Sequence, residues 1–356
     1  MKFKNIYKKI KIAGIVNWQK LLIRLSLNRD YPFNKPTSII IDLTQNCVLH
    51  CQQCHLWKTE AEKQMTFDEA KIIIDRLHQW LGNFYLFFTG GEPFINKDLP
   101  KIIKYSESIG IVTHVNSNAF LIDKKLANKI LDSRLSAISI SLDGAKASTH
   151  DFLRGTKGAF KKVINAIKLL KTTKSKKNPN IFINTVIMKA NLNELGDLIK
   201  LSKKQKTDGI TFQCLLPTLA SKQNIEQLKN SHLWPDFNQL KIVISKIIRT
   251  NNRNLLTSKE NLKQIIDYYQ NPEKTNDFQC EAGINNFIIN RQGEVRLCFS
   301  LPEIGNILKT TPKKIWLGQK AQKQRGIIRK CNKTCKVIVC NKFDTNRLIE
   351  VENHNF

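Results

Sequence analysis

The sequence predicts an α/β chain: a partial (β/α)6 TIM-like barrel followed by a small cysteine-rich hairpin-plus-helix extension. Three observations carry that prediction. Between residues 38 and 215, short runs rich in Ile, Val and Phe alternate with helical patterns. Those runs are dominated by apolar residues, as strands of a parallel sheet buried on both faces are. Beyond Pro217 the alternation stops, and five of the nine cysteines fall after residue 279.

Residues 1–37 form a basic amphipathic lead-in. Trp18, Leu21, Leu22 and Leu25 recur at i, i+3, i+4 and i+7 on one helical face, while Phe3, Ile6 and Ile10 predict a shorter helix ahead of Gly14. Such a face ordinarily docks on the protein's own body; peripheral contact with a membrane surface is the alternative, because lysines fill the other face. "SIIIDLT" (38–44) is the first strand. "TFDEAKIIIDRLHQW" (66–80) is a helix that Thr66 can cap, with Glu69 at the capping-box position. Strands follow at 84–89, 111–116, 135–142, 181–187 and 209–215, and helices at 98–109, 123–132, 159–171 and 193–204. Six such units do not complete an eightfold barrel, so an open three-quarter barrel is expected, with a flat doubly wound sheet as the alternative. In both, ligands sit at the carboxyl ends of the strands. The barrel core is thus assigned to 38–216 and a helical connector, with helices at 237–249 and 258–269, to 217–279. The cysteine-rich domain covers 280–341 and a tail 342–356. "CEAGINNFIINRQGEVRLC" reads as a hairpin with a cysteine at each outer end.

Composition narrows the function. At 356 residues and 41% hydrophobic content the chain has material for about two domains with genuine cores. The net charge of +29 invites a nucleic-acid reading. The lysines are spread along the chain, however, and the densest run, 168–180, reads as a helix end and a solvated loop, so no nucleic-acid partner is expected. No apolar stretch approaches the roughly 20 residues of a membrane span. Unevenly placed cysteines in a long chain without a secretory pattern predict a cytoplasmic setting and metal binding.

"CVLHCQQC" follows directly on the first strand and therefore lies at the catalytic rim of the barrel. Cys47, Cys51 and Cys54 can hold three corners of a four-iron, four-sulfur cluster and leave one iron open to a small chelating molecule. A zinc knuckle is the alternative and would need His50 or His55 as a fourth ligand. "FFTGGEPF" ends the second strand, so Gly90, Gly91, Glu92 and Pro93 share that rim. The glycines allow close backbone approach, and the carboxylate can hold an ammonium.

Together these motifs resemble the radical S-adenosylmethionine (radical SAM) superfamily. Cys47, Cys51 and Cys54 look like its cluster motif, and Gly90-Gly91-Glu92-Pro93 looks like the element that grips the methionine amino group. "NSNAFLI" (116–122) resembles the third-strand segment, with Ser117 and Asn118 matching and Ala119 in place of glycine. "SISLDG" and "HDFLRG" (139–144 and 150–155) resemble the fourth-strand signature. The resemblance implies that Ser141 and Arg154 reach the ribose and carboxylate of SAM, with Asp143 in the same signature. The chain departs from the family at Val48, where Asn is usual, and at Gln53, where an aromatic is usual; Gln53 would give the adenine edge a polar contact.

The C-terminal cysteines form a second constellation. Cys280, Gly293 and Cys298 are spaced as in the SPASM/Twitch extensions that carry auxiliary iron–sulfur clusters in this superfamily. "EIGNILKTTPKKIW" (303–316) matches their connecting stretch, and "CNKTCKVIVC" closes the domain. Five cysteines supply one four-cysteine cluster with one spare, so the single-cluster, Twitch-like form is expected. Its ligands are Cys280, Cys298 and Cys331, with Cys335 preferred over Cys340 as the fourth. A structural zinc ribbon is the alternative. Cys214, ending the sixth strand, reads as a small buried hydrophobe.

The function this resemblance implies is reductive cleavage of SAM at a 4Fe-4S cluster, giving a 5′-deoxyadenosyl radical that abstracts hydrogen from a substrate. A ribosomal peptide is the first expectation for that substrate, another small biosynthetic molecule the second. The implied cofactors are SAM, the SAM-binding cluster and a second, auxiliary 4Fe-4S cluster; an electron donor such as a flavodoxin or ferredoxin is the implied partner. Two rival readings are a radical SAM enzyme acting on a lipid at the membrane surface and a non-enzymatic zinc or nucleic-acid-binding protein. No residue is assigned as catalytic acid or base.

Overall fold

The computed structural model describes residues 2–58, 63–173, 175, 178–217, 224–250, 252–273, 279–332 and 335, with side chains from residue 13 onward. In chain order the elements are α1 (Lys2–Leu27), β1 (Ser38–Thr44), α2 (Phe67–Leu81), β2 (Tyr85–Gly90), α3 (Leu99–Ser108), β3 (Val112–Ser117), α4 (Lys124–Asp132), β4 (Ala137–Ser141), α5 (Ala147–Arg154) and α6 (Ala159–Thr172). There follow β5 (Asn180–Ile187), α7 (Leu195–Lys204), β6 (Gly209–Cys214), α8 (Ile225–Lys229), α9 (Phe237–Thr250), α10 (Lys259–Gln270), β7 (Asn286–Ile289), β8 (Glu294–Arg296), β9 (Gly305–Asn306), α11 (Pro312–Leu317) and α12 (Gln319–Arg329).

One sheet holds every strand, in the order β6-β5-β4-β3-β2-β1-β7-β8-β9. The first six strands pair in parallel with their neighbours in sequence. A doubly wound sheet would reverse strand order among its βα units; the six βα strands run in unbroken sequence from β1 to β6, so the barrel reading holds. Ile39, Ile41 and Leu43 of β1, with Phe88 and Val115, join the large core under the helices. The alternate residues Ile40, Tyr85, Phe87, Val112 and Ile288 form a separate cluster on the concave face, the floor of the barrel. Thr66 caps α2 in a capping box with Glu69, as its sequence indicates.

The cysteine-rich hairpin extends the barrel sheet. β7 pairs in parallel with β1, and β8 and β9 continue antiparallel. This covers the otherwise open edge of β1. Trp80 of α2, Phe287 of β7 and Trp316 of α11 pack ring against ring at centroid distances of 5.8–6.3 Å behind that junction.

The lead-in differs from expectation in two ways. α1 is one continuous helix that runs through Gly14. It also docks by another face: Val16, Ile23 and Ser26 are buried, while Trp18, Leu21 and Leu25 are 59%, 45% and 46% exposed. The reason is polar. Ser26 Oγ donates to Asn34 Oδ1 (3.0 Å) and accepts from the Phe33 amide (2.8 Å). Asn34 Nδ2 donates to the Ile284 carbonyl (2.7 Å), and Trp316 Nε1 donates to the Asn34 carbonyl (3.3 Å). These bonds turn the Ser26 side of the helix, not the Trp18 side, toward the C-terminal domain.

Asn34 is therefore a buried fastener between the two. Asn34→Ala leaves the Ile284 carbonyl without its donor and should cost about 1–3 kcal/mol of stability, read as a lowered urea midpoint at unchanged slope.

Candidate functional site

The loop after β1 carries the first three cysteines. Cys51 is buried with Leu49 and Ala159, and Cys47, Val48, Cys54 and Phe120 pack against that cluster. Two anchors hold the loop. The Gln52 amide donates to the Leu153 carbonyl of α5 (2.9 Å), and the Gly91 and Glu92 amides donate back to the Thr44 and Asn46 carbonyls (2.7 and 2.8 Å). The second anchor requires glycine: a Cβ on Gly91 would lie 2.2 Å from the Asn46 carbonyl oxygen, and one on Gly90 (φ +134°) 2.1 Å from that of Thr44.

That turn delivers Glu92 into a fully buried position. Its carboxylate accepts from Ser117 Oγ (2.8 Å), the Asn118 amide (2.8 Å) and the Phe94 amide (3.2 Å). Burial pushes its pKa up to about 7 against the pull of these donors and of Arg154. Pro93 opens a single buried 3-10 turn behind it.

Two cations or dipoles aim at the thiols. Asn118 Nδ2 lies 3.6 Å from Cys47 Sγ, and Arg154 Nη1 lies 3.8 Å from Cys51 Sγ. The Arg154 guanidinium also pairs with Asp143 Oδ2 at 2.7 Å. Burial works against the Arg154 charge, but Asp143 and Cys51 more than offset it and raise its pKa. Asp143 is itself fully buried. Its Oδ1 accepts from the Val186 amide (2.9 Å), and Gln53 Nε2 approaches Oδ2 at 3.4 Å. The pair is internal rather than on the surface, so Asp143 positions Arg154. Asp151, the other carboxylate near Arg154 in sequence, instead accepts from the Gly158 and Phe160 amides (2.6 and 2.8 Å) at the start of α6. Ser141 stands half-buried at the carboxyl end of β4, on the same rim.

The donor set suits an anionic iron–sulfur cluster. Burial first, then Cys51, Glu92 and Cys54, push the Cys47 thiol up to about 11; burial likewise raises Cys54. The thiols thus sense one another. Among the described residues, however, no three His, Cys, Asp or Glu side chains converge as they would on a single metal ion. Three spaced thiols, a cation and an amide turned toward their sulfurs, and buried Gln53 Oε1 and Arg154 Nε with no hydrogen-bond partner among the described residues together leave polar atoms for a bound group to satisfy.

The second constellation gathers as well. Cys280 and Cys298 stand just outside the two ends of the β7–β8 hairpin, Cys331 follows α12, and Cys335 lies nearby. Burial pushes Cys280 up to about 12, with Cys335, Cys298 and Cys331 adding to the rise. Cys340 lies outside the described residues. Cys214 faces the helix layer with Ile210 and Phe212, away from the barrel interior, and burial raises its thiol strongly.

Apart from Ser141, the sequence reading missed the row of side chains facing the barrel interior above its floor. Asp42 stands opposite Thr89, Asn116 opposite Ser139, Ser141 opposite Asn184, and Asn184 opposite Thr211. All are polar, and Asn116 is exposed although it sits in a central strand. Burial pushes Asp42 up to about 6 against Arg291 and Arg296 of the C-terminal domain, and its Oδ1 has no hydrogen-bond partner among the described residues. The available signal was period two: within the apolar strands, every second position toward the carboxyl end is polar.

The comparisons with known proteins agree with this geometry. Residues 41–202 match the profile of the Radical SAM superfamily, and residues 280–341 match that of SPASM, an iron–sulfur cluster-binding domain. The AdoMet-dependent heme synthase of Methanosarcina barkeri is 32% identical over 187 residues, which is 52% of this chain and 52% of that protein. The PqqA peptide cyclase of Bradyrhizobium diazoefficiens is 27% identical over 172 residues, 48% of this chain and 44% of that one. The chain spans about half the length of the curated relatives it matches. In fold it is similar to Streptococcus suis SuiB bound to precursor peptide SuiA, with a TM-score of 0.65 and 17% identity over 93% of this chain and 72% of that one. No helix among the described residues is long and apolar enough to cross a membrane.

His150, behind the Asp143–Arg154 pair, gives a pH test of the site's packing. Its Nδ1 accepts from the Asp143 amide (3.1 Å). Burial, then the Arg154 charge, hold its pKa down to about 3, below the usual 6.5. A base with a depressed folded-state pKa contributes stability that is present above about pH 6.5 and lost as pH falls toward 3. Between pH 7 and pH 5 this loss should be about 2 kcal/mol. His150→Gln keeps an acceptor without the titration, and its urea midpoint should fall less over that interval than the parent's.

Proposed function

We propose, for a chain whose residues 41–202 belong to the radical SAM superfamily and whose residues 280–341 form a SPASM iron–sulfur cluster-binding domain, that it reductively cleaves SAM and abstracts hydrogen from a peptide. The observation that carries this reading is the trio Cys47, Cys51 and Cys54 at the strands' carboxyl rim, with Asn118 and Arg154 turned toward its sulfurs.

A four-iron cluster held by Cys47, Cys51 and Cys54, together with SAM, would supply the radical chemistry for hydrogen abstraction. The protein's own residues do the rest. Cys47, Cys51 and Cys54 would hold three irons; Asn118 and Arg154 donate toward their sulfurs and so favour added negative charge. Gly90 and Gly91 let their turn close onto the Thr44 and Asn46 carbonyls beside the cysteine loop, the rim at which the methionine amino group would bind, and buried Glu92 fixes that turn through Ser117 and Asn118. Arg154 and Ser141 would meet the carboxylate and ribose of SAM, with Asp143 setting the guanidinium. The C-terminal domain would hold one auxiliary cluster on Cys280, Cys298, Cys331 and Cys335.

A peptide suits the interior better than a macrocycle. Asp42, Thr89, Asn116 and the Asn184 side-chain amide nitrogen offer hydrogen-bonding groups, which amide groups would pair and an apolar ring face would strand. Two of the proteins named above point the same way, one bound to a precursor peptide and one named for cyclising a peptide. A small reduced carrier such as a flavodoxin or ferredoxin would supply the electron; the chain's net charge of +29 suits an acidic one.

The test is anaerobic reconstitution. With dithionite and SAM the parent should form 5′-deoxyadenosine, whereas the combined Cys47→Ala, Cys51→Ala, Cys54→Ala variant should form none yet retain about four irons. Any 5′-deoxyadenosine from that variant would overturn the assignment. At the other centre, Cys280→Ala, Cys298→Ala and Cys331→Ala should each lose about four irons, as should Cys335→Ala. Retention of that iron in Cys335→Ala with its loss in Cys340→Ala would exchange the fourth ligand.

A further inference from the structure

α1 carries an apolar stripe that the proposed chemistry does not use. Trp18, Leu21 and Leu25 are spaced at i, i+3 and i+7 and are 59%, 45% and 46% exposed. The opposite side of the helix is the docked one, through Val16, Ile23 and Ser26. Upstream, the sequence repeats the same spacing of three and four with Phe3, Tyr7, Ile10 and Gly14. Just past the helix, Tyr31 and Phe33 are 51% and 49% exposed, with Arg29 lying 5.3 Å over the Phe33 ring.

Charge identifies the occupant. The 26 residues of α1 include six lysines, one arginine and no Asp or Glu. Lys20 and Arg24 are exposed, next to the stripe on its side away from Ile15 and Leu22. A second copy of the chain pairing stripe to stripe would bring two such cationic helices side by side, which like-charge repulsion opposes. An anionic surface meets both features at once. At about 1.5 Å per residue the helix is roughly 39 Å long, yet it is too charged to cross a bilayer.

We propose that α1 lies flat on an anionic membrane surface, with Trp18, Leu21 and Leu25 entering the headgroup boundary and the basic residues meeting lipid phosphates. The opposite, docked face of the helix then holds the barrel against that surface. This is independent of the enzyme's substrate, which need not be a lipid.

Co-sedimentation of the full chain with phosphatidylcholine vesicles, with and without phosphatidylglycerol, tests it. The parent should bind the anionic vesicles about tenfold more tightly than the neutral ones and weaken as salt rises. The combined Trp18→Ser, Leu21→Ser, Leu25→Ser variant should lose about tenfold in binding at an unchanged urea midpoint, because these side chains leave no cavity. If its midpoint falls, the Lys20→Glu, Arg24→Glu variant decides, and it should lose a similar factor on anionic vesicles only. Parent chain that stays in the supernatant, or variants that bind as the parent does, overturns the proposal. So does a serine variant that converts a dimer to a monomer without changing vesicle binding, which would make a second copy the occupant.

Discussion

The site depends on how closely the turn after β2 approaches the loop after β1. Neither Gly90 nor Gly91 could carry a side chain there, since each would drive a Cβ to about 2 Å from a backbone oxygen. The absence of those atoms lets two amides bond the carbonyls of Thr44 and Asn46. The cysteine loop is thereby fixed against its neighbouring strand before any cluster is considered. Glu92 follows in the same turn and is carried inward to the β3 rim, where Ser117 and Asn118 receive it. Three successive βα units are joined at one place by backbone proximity and one carboxylate.

Arg154 plays the corresponding electrostatic part. Burying a guanidinium is costly unless it is paired and hydrogen-bonded, and Asp143 meets that condition at 2.7 Å. The charge then acts over the whole rim: it faces Cys51, pulls down the pKa of Glu92 and Cys54, and depresses His150. Its position comes from α5, whose C-terminal Gly155 adopts a left-handed conformation beneath the His50 carbonyl. The cysteine loop and the arginine that serves it are therefore packed against each other through glycine a second time.

The C-terminal domain joins the barrel by sheet extension. β7 continues the barrel beside β1, which sets Arg291 and Arg296 near Asp42 at the mouth of the interior. Arg325 lies over the Trp316 ring at 4.4 Å and donates to the Gly283 carbonyl, closing the hairpin against α11. The segment after α1 is bonded into the same corner through Asn34 and Asp30. The boundary read at residue 37 thus falls inside a continuous set of contacts.

The sequence by itself determined the six parallel strands with their helices and the positions of its two cysteine constellations; the strand order that makes them a barrel came from the fold. Those features are local: strands of a buried parallel sheet are rich in apolar residues, three cysteines within eight residues stand out by spacing alone, and a glycine pair before a carboxylate marks a turn wherever it falls. The continuity of α1 and the side on which it docks were not legible, because Ser26 answers to Asn34 and Ile284 rather than to the helix's own apolar period. Nor was the inward row of Asp42, Asn116 and Asn184, whose members matter only once parallel registers align them across strands. The fold likewise decided that Asp143 pairs with Arg154 in the interior while Asp151 holds the start of α6. Each of these joins residues from separate elements, and side-chain chemistry at such distances is set by packing, not by spacing along the chain.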